Sequence, residues 1–269
     1  MAQFKNLMEI FKLLNKTNCR KCNETTCLAF AAAVFKGEKQ LAACPDLDPG
    51  IIAQYGVQEK RQSGYEADLE KALAYLKSEV SAVDFSTAAK RIGAVSANGK
   101  LTLKVMGKDF SVDNKGYLYS DIHVNPWVTI PILTYILQCK GSPVNGKWMP
   151  LRELPGGQER YRLFAQRCEK PLKKLADTHT ELFEDLVDIF NGRPVENHYQ
   201  SDIAIVLQPL PLVPMLVCYW KPEDGMASDL NLFFDASAPD NLGMDGIYAL
   251  GTGIVNMFEK LALRHGVVQ

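Results

Sequence analysis

Seven cysteines in 269 residues make an odd number, and four of them crowd into the first 44 positions: Cys19, Cys22, Cys27 and Cys44. The spacing is C-x2-C-x4-C-x16-C, with Pro45 directly after the last thiol. A disulfide framework calls for an even, dispersed set in a secreted chain. A tight cluster points to metal. Structural zinc sites use two close Cys/His pairs, whereas here three thiols fall within nine residues and the fourth is remote. That three-plus-one layout suits a cubane, with three thiolates from one loop on one face and a distant fourth closing it. Short-spaced cysteine runs, often followed by Pro, are the signature of iron–sulfur ligation. The first His is His123, so the set is all-thiolate and soft, compatible with a 4Fe–4S cluster or with zinc. A thioredoxin-like Cys19-x-x-Cys22 pair is the other alternative, but no strand precedes it.

The flanks support a ligand loop. Phe4, Leu7, Met8, Phe11 and Leu14 recur at helical spacing and predict a helix over 3–15. Thr25 and Thr26 cap a second helix that starts near Cys27 and ends at Gly37. Cys27 then sits in a first turn, where free N–H groups and the positive dipole end favour a thiolate. Residues 1–45 hold seven Lys/Arg against three Glu, a local +4, which leaves −5 on the rest of a chain of net charge −1. Part of that excess offsets an anionic cluster. The remainder is read either as solvated helix faces or as a docking surface for an acidic redox partner.

These residues resemble a known family. The stretches Glu9-Ile-Phe-Lys-Leu-Leu-Asn-Lys-Thr-Asn-Cys19, Cys27-Leu-Ala-Phe-Ala31, Lys36-Gly-Glu38 and Ala43-Cys-Pro45 are similar to a small 4Fe–4S domain. It opens the large subunit of the corrinoid iron–sulfur protein of acetyl-CoA synthesis, and a related version occurs in Rnf-type cluster subunits. The resemblance covers about residues 4–48 and implies Cys19, Cys22, Cys27 and Cys44 as the four cluster ligands. The family has Gly after each of the first two cysteines; Arg20 and Asn23 stand there in this chain. Arg20 is expected to place positive charge near the cluster and raise its potential.

Downstream, residues 49–64 read as a linker with a short helix, and 65–269 as an α+β domain of unknown function. A helix is expected over 65–82 and an antiparallel meander over 91–120, with turns at Asn98-Gly99, Gly107-Lys108 and Asn114-Lys115-Gly116. A buried helix follows from Trp127 to Leu137. Leu172, Leu175, Leu182, Leu186 and Phe190 predict one further helix, three strands lie near 203–207, 215–220 and 230–235, and a final helix carries Ile247, Leu250, Ile254, Met257 and Leu261. The segments Gly146-Lys-Trp148, Leu151-Arg-Glu-Leu-Pro-Gly-Gly157, Lys170-Pro-Leu172, Tyr219-Trp-Lys-Pro-Glu-Asp224 and Phe234-Asp235 resemble a domain of unknown function. That domain is found in anaerobic bacteria and archaea, sometimes fused to this cluster domain. The match, over about 65–265, implies an architecture and no established chemistry.

No P-loop, GxGxxG, HExxH or GxSxG stands in a usable context, and no nucleophile, base and orienting group assemble from the sequence. Gly251-Thr-Gly253 reads as close helix packing. Arg152-Glu153 reads as an ion pair at a turn, or else an anion contact. His179 reads as a core residue, and Cys139, Cys168 and Cys218 as buried small apolar side chains. His123 is a candidate axial ligand for a corrinoid or other tetrapyrrole, against the simpler reading of a loop hydrogen bond.

With net charge near zero there is no global basic field for nucleic acid, and no apolar run reaches the roughly 20 residues of a membrane span. The opening residues lack a secretory pattern, so a cytoplasmic chain is expected. Two functions follow. One is a low-potential one-electron carrier, fed by a ferredoxin-like donor and serving a cofactor or partner of the larger domain, with a corrinoid protein of methyl-transfer metabolism as the specific expectation. The other is a non-redox ligand- or partner-binding module with a structural or sensing cluster. The sequence leaves open whether any reaction is catalysed.

Overall fold

The computed structural model describes residues 4, 6–55, 64–120, 126–179, 181–196, 198–223 and 225–265. The chain divides into two compact units, residues 1–71 and 72–269.

The first unit is helical. Helix α1 (Leu7–Leu13) begins one turn later than its apolar spacing suggests, because Asn6 is the N-cap and its side chain accepts the Glu9 N–H at 3.1 Å. Helix α2 (Cys27–Lys36) is capped by Thr26, which accepts the Ala29 N–H, and stops at Gly37 in the left-handed region (φ 75°). A 3-10 turn (Leu41–Ala43) leads to Cys44, and α3 (Pro49–Tyr55) follows. Ile10, Leu14, Phe30, Val34 and Leu41 form the centre of a core that holds eight buried apolar side chains among the described residues. Phe4 stacks on Tyr55 with ring centroids 4.1 Å apart.

Helix α4 (Gly64–Ser81) spans the division between the units. Then comes α5 (Phe85–Ile92), which the sequence reading did not anticipate. Asp84 caps it by accepting the Ser86 and Thr87 N–H groups, and Gly93 ends it. Strands β1 (Val95–Ala97), β2 (Lys100–Val105), β3 (Lys108–Asp113) and β4 (Leu118–Ser120) form the expected antiparallel meander, in sequential order. Leu101, Leu103, Val105, Phe110 and Val112 alternate inward, as a strand period of two requires. Helix α6 (Pro126–Gln138) is the apolar helix expected there. Its Tyr135 hydroxyl donates to Ile92 O at 2.8 Å and accepts the Leu212 N–H at 3.1 Å.

A second antiparallel sheet forms the other half of this unit. Its members are β5 (Trp148–Pro150), β6 (Arg193–Pro194), β7 (Ile203–Leu210), β8 (Val213–Trp220) and β9 (Asp229–Asp235), in the order β5-β9-β8-β7-β6. The three long strands are central. Both edge strands are two or three residues long, and each carries a proline, Pro150 and Pro194. Leu207, Met215, Val217, Leu232 and Phe234 face the main core, while Ala204, Val206, Leu216, Cys218 and Phe233 build a smaller cluster on the reverse face. The architecture is α+β, as expected.

The helix predicted through Leu172 and Phe190 is in fact two, α8 (Lys170–Thr178) and α9 (Leu182–Asp188). His179 interrupts them as the C-cap of α8, with extended backbone and a half-exposed side chain, so it is not the core helix residue expected. Ahead of α8 lie α7 (Gln158–Phe164) and a π-helical turn over Ala165–Glu169. The last helix, α10 (Ala238–His265), is longer than its apolar stretch and is kinked at Gly243 (φ 71°). Gly251 and Gly253 serve close packing. A Cβ on Gly251 would stand 2.8 Å from the Phe164 ring, and one on Gly253 2.8 Å from Trp127 O.

Candidate metal centre

The four clustered cysteines come together. Cys19, Cys22, Cys27 and Cys44 all line one pocket of the helical unit, with Leu14, Asn18 and Phe30 among its walls. Each is placed by a different device. Cys27 opens α2 and its N–H donates to the Asn18 side-chain oxygen at 2.8 Å, while the Asn18 N–H lies 3.4 Å from Cys27 Sγ. Cys22 lies in a turn closed by Asn23 N–H to Arg20 O at 3.0 Å. Lys39, from beyond α2, donates to Cys22 O at 2.8 Å and Asn23 O at 3.2 Å and pairs with Glu24 at 2.8 Å. Cys44 follows the 3-10 turn, and its segment is tied to the first loop by Asn15 Nδ2 to Asp46 O at 3.1 Å and by Lys21 to Asp46 at 3.0 Å.

The loop backbone is unusual. Lys16, Asn18, Arg20 and Asn23 all have φ between 51° and 62°. Arg20 and Asn23 stand where the resembling family has glycine, and their φ values of 62° and 57° give the physical reason for that glycine. The loop needs left-handed backbone after each of the first two cysteines, and glycine adopts it without Cβ cost.

Charge is arranged about the thiols. Cys19 is exposed and its thiol reaches Asp46 at 3.5 Å; the other three are half-buried. The hydrogen bond from Lys21 holds the Asp46 carboxyl below the usual carboxylate range, and Asp46 in turn raises Lys21. Burial pushes the Cys44 thiol up. The donor set is four thiols with no imidazole among the lining residues. Soft, all-thiolate donors gathered at one pocket fit an iron–sulfur cluster.

The remaining sequence candidates lie away from this pocket or outside the described residues. Cys139, Cys168 and Cys218 are buried; burial pushes the Cys168 thiol up to about 12. Arg152 and Glu153 form an exposed pair at 4.0 Å, and Arg152 also donates to the Tyr161 hydroxyl. His123 lies outside the described residues. Asn18 and Lys39, which orient two of the four cysteines, escaped the sequence reading. The only signal for Asn18 is its tolerance of left-handed backbone next to Cys19.

Residues 14–45 match a family model described as "Putative Fe-S cluster", a stretch that holds all four thiols. With the thiol-lined pocket, that defines an iron–sulfur protein carrying a larger α+β unit. Residues 84–257 match DUF3786, a domain of unknown function, and the chain belongs to that family.

The chain is also similar to gamma subunits of the acetyl-CoA decarbonylase/synthase complex. Identity is 50% over 40 residues with that of Methanothermobacter thermautotrophicus, covering 15% of this chain and 9% of the relative. It is 22% over 194 residues with that of Methanocaldococcus jannaschii, covering 70% and 37%. It is 34% over 67 residues with gamma 1 of Methanosarcina thermophila, covering 25% and 12%. The chain thus spans little more than a third of the Methanocaldococcus jannaschii subunit and less of the other two. No solved structure matches. No helix among the described residues is long and apolar enough to cross a membrane.

Proposed function

We propose that residues 1–48 hold a 4Fe–4S cluster on Cys19, Cys22, Cys27 and Cys44, and that the chain is a low-potential one-electron carrier. In this reading the α+β domain, 65–269, engages the cofactor or partner served, in corrinoid-linked methyl-transfer metabolism with a ferredoxin-like donor. The convergence of four thiols on one pocket carries the reading; the likeness to the gamma subunits supports the setting. When bound, such a group supplies one-electron redox chemistry.

The residues of the chain do the rest. Asn18 presents an N–H to the Cys27 sulfur, a contact of the kind that tunes potential. Lys39 fixes the Cys22 turn. Arg20, exposed at the pocket, sets a cation at the rim and favours an acidic partner, an attraction that shortens with the Debye length as salt rises.

Anaerobically prepared protein should contain about four iron and four sulfide per chain, a stoichiometry fixed by the cubane assignment. It should be reduced by a low-potential ferredoxin and reoxidised by a Co(II) corrinoid protein in stopped flow. Cys27→Ala should lose the iron and the hydrogen-exchange protection of α1 and α2 while 84–257 stays protected, since so small a core needs its metal. Stoichiometric zinc without sulfide would overturn the cluster. A cluster that no donor reduces would leave the binding module with a structural cluster as the better account.

A further inference from the structure

Away from the thiols, the α+β unit holds an open groove, about 440 Å3 in volume, between α9 and the β6–β7 edge of its larger sheet. Its floor is apolar: Phe183 and Val187 from the helix, Ile203 and Ile205 from β7. Its rim is acidic. Glu184 and Asp188, one helical turn apart on α9, face the same space as Asp202 at the start of β7, and no basic residue among the described residues lines it. Asp202 lends one oxygen to the Lys221 N–H at 2.7 Å. Glu184 and Asp188 have no ion-pair partner among the described residues. The base next to it in sequence, Arg193, is exposed on β6 and does not line the groove.

We propose that this groove binds a small organic cation, an ammonium group carried on an apolar body. Three observations select that class. The volume lies within the roughly 300–1,000 Å3 of small-molecule sites. Three exposed carboxylates around an apolar floor repel an anion and attract a cation. A neutral apolar molecule would use the floor and leave the rim without a counter-charge, whereas an alkylammonium uses both. A pairing β-strand is disfavoured at the same edge, because Pro194 offers no N–H. The site is independent of the cysteine pocket and of the electron-transfer reading.

The test uses the full chain and n-hexylammonium as probe, with n-hexanol and n-hexanoate as equal-length controls, by calorimetry and ligand-observed NMR. Hexylammonium should bind saturably with one site and at least about tenfold more tightly than either control. Glu184→Gln combined with Asp188→Asn should weaken it about tenfold, the upper range for removing two exposed charge pairs. Both residues are exposed, so the far-UV spectrum should not change. Raising salt from about 0.1 to 1 M, which cuts the Debye length from about 10 to 3 Å, should weaken binding in the native chain and much less in the double variant. Equal binding of hexanol, no saturable binding of the amine, or indifference to both the double variant and salt would overturn the proposal.

Discussion

Replacing Lys39 by Met keeps an unbranched apolar stem of similar reach and removes the ammonium that ties the Cys22 turn to the far end of α2. Three contacts go with it: the bonds to Cys22 O and Asn23 O, at 2.8 and 3.2 Å, and the pair with Glu24 at 2.8 Å. A hydrogen bond from a charged donor is worth about 1.5–3 kcal/mol, and an exposed ion pair at most about 1 kcal/mol. Both side chains are 26% exposed, and the released carbonyls regain water, so the net loss is about 2 kcal/mol. At about 1.4 kcal/mol per factor of ten, amides of residues 22–36 in the metal-loaded full chain should exchange roughly 30-fold faster. Native-state exchange suits a two-unit chain, because it reports opening locally where a single denaturation curve cannot. Amides of β7, β8 and β9 serve as the internal control. Unchanged protection over 22–36, or a uniform loss reaching the α+β unit, would refute the clasp.

Two other substitutions probe the larger unit. Burial away from water lifts the Glu169 carboxyl above its ordinary value, despite the Leu232 N–H it accepts. Its favourable contribution is therefore present below the unfolded pKa of about 4.5 and lost as pH rises through the folded value, each unit of elevation being worth about 1.4 kcal/mol. Glu169→Gln should gain in melting temperature over the native chain between pH 4.5 and 7.5, and a gap that stays constant would count against the argument. Gly253→Ala forces a Cβ to 2.8 Å from a backbone oxygen in α6. It should cost about 1–3 kcal/mol by overpacking, in excess of alanine's helix-propensity gain, and a raised melting temperature would contradict the packing.

The thiol pocket was legible because its donors are almost local. Three of its cysteines fall in nine residues, and the helix that follows announces itself through Thr26 and Gly37. The alternating strands were legible because their faces are buried unequally, as in Leu101, Leu103 and Val105. The misses have physical causes too. Leu175 and Leu182 feed the same core, so the apolar period runs on across the break at His179. Helix α5 is only eight residues long, and its apolar stripe, Phe85, Ala88, Ala89 and Ile92, is half alanine, a weak pattern beside its caps Asp84 and Gly93. Lys39 acts on backbone carbonyls sixteen and seventeen residues away, a contact that leaves no pattern in side-chain type. Two- and three-residue edge strands are too short to show alternation at all.

Those edges bear on how the protein behaves in a concentrated solution. The central strands are long, and β7 and β8 are largely apolar on both faces, the composition that stacks into cross-β assemblies if an open edge admits a neighbour. Each margin of the sheet instead ends in a stub with a proline, Pro150 on one side and Pro194 on the other. An incoming strand finds a ladder with a rung missing, too short to fix its register. The sheet is thereby closed to its own copies, and the most aggregation-prone segments of the chain stay shielded for as long as these two small strands hold their places.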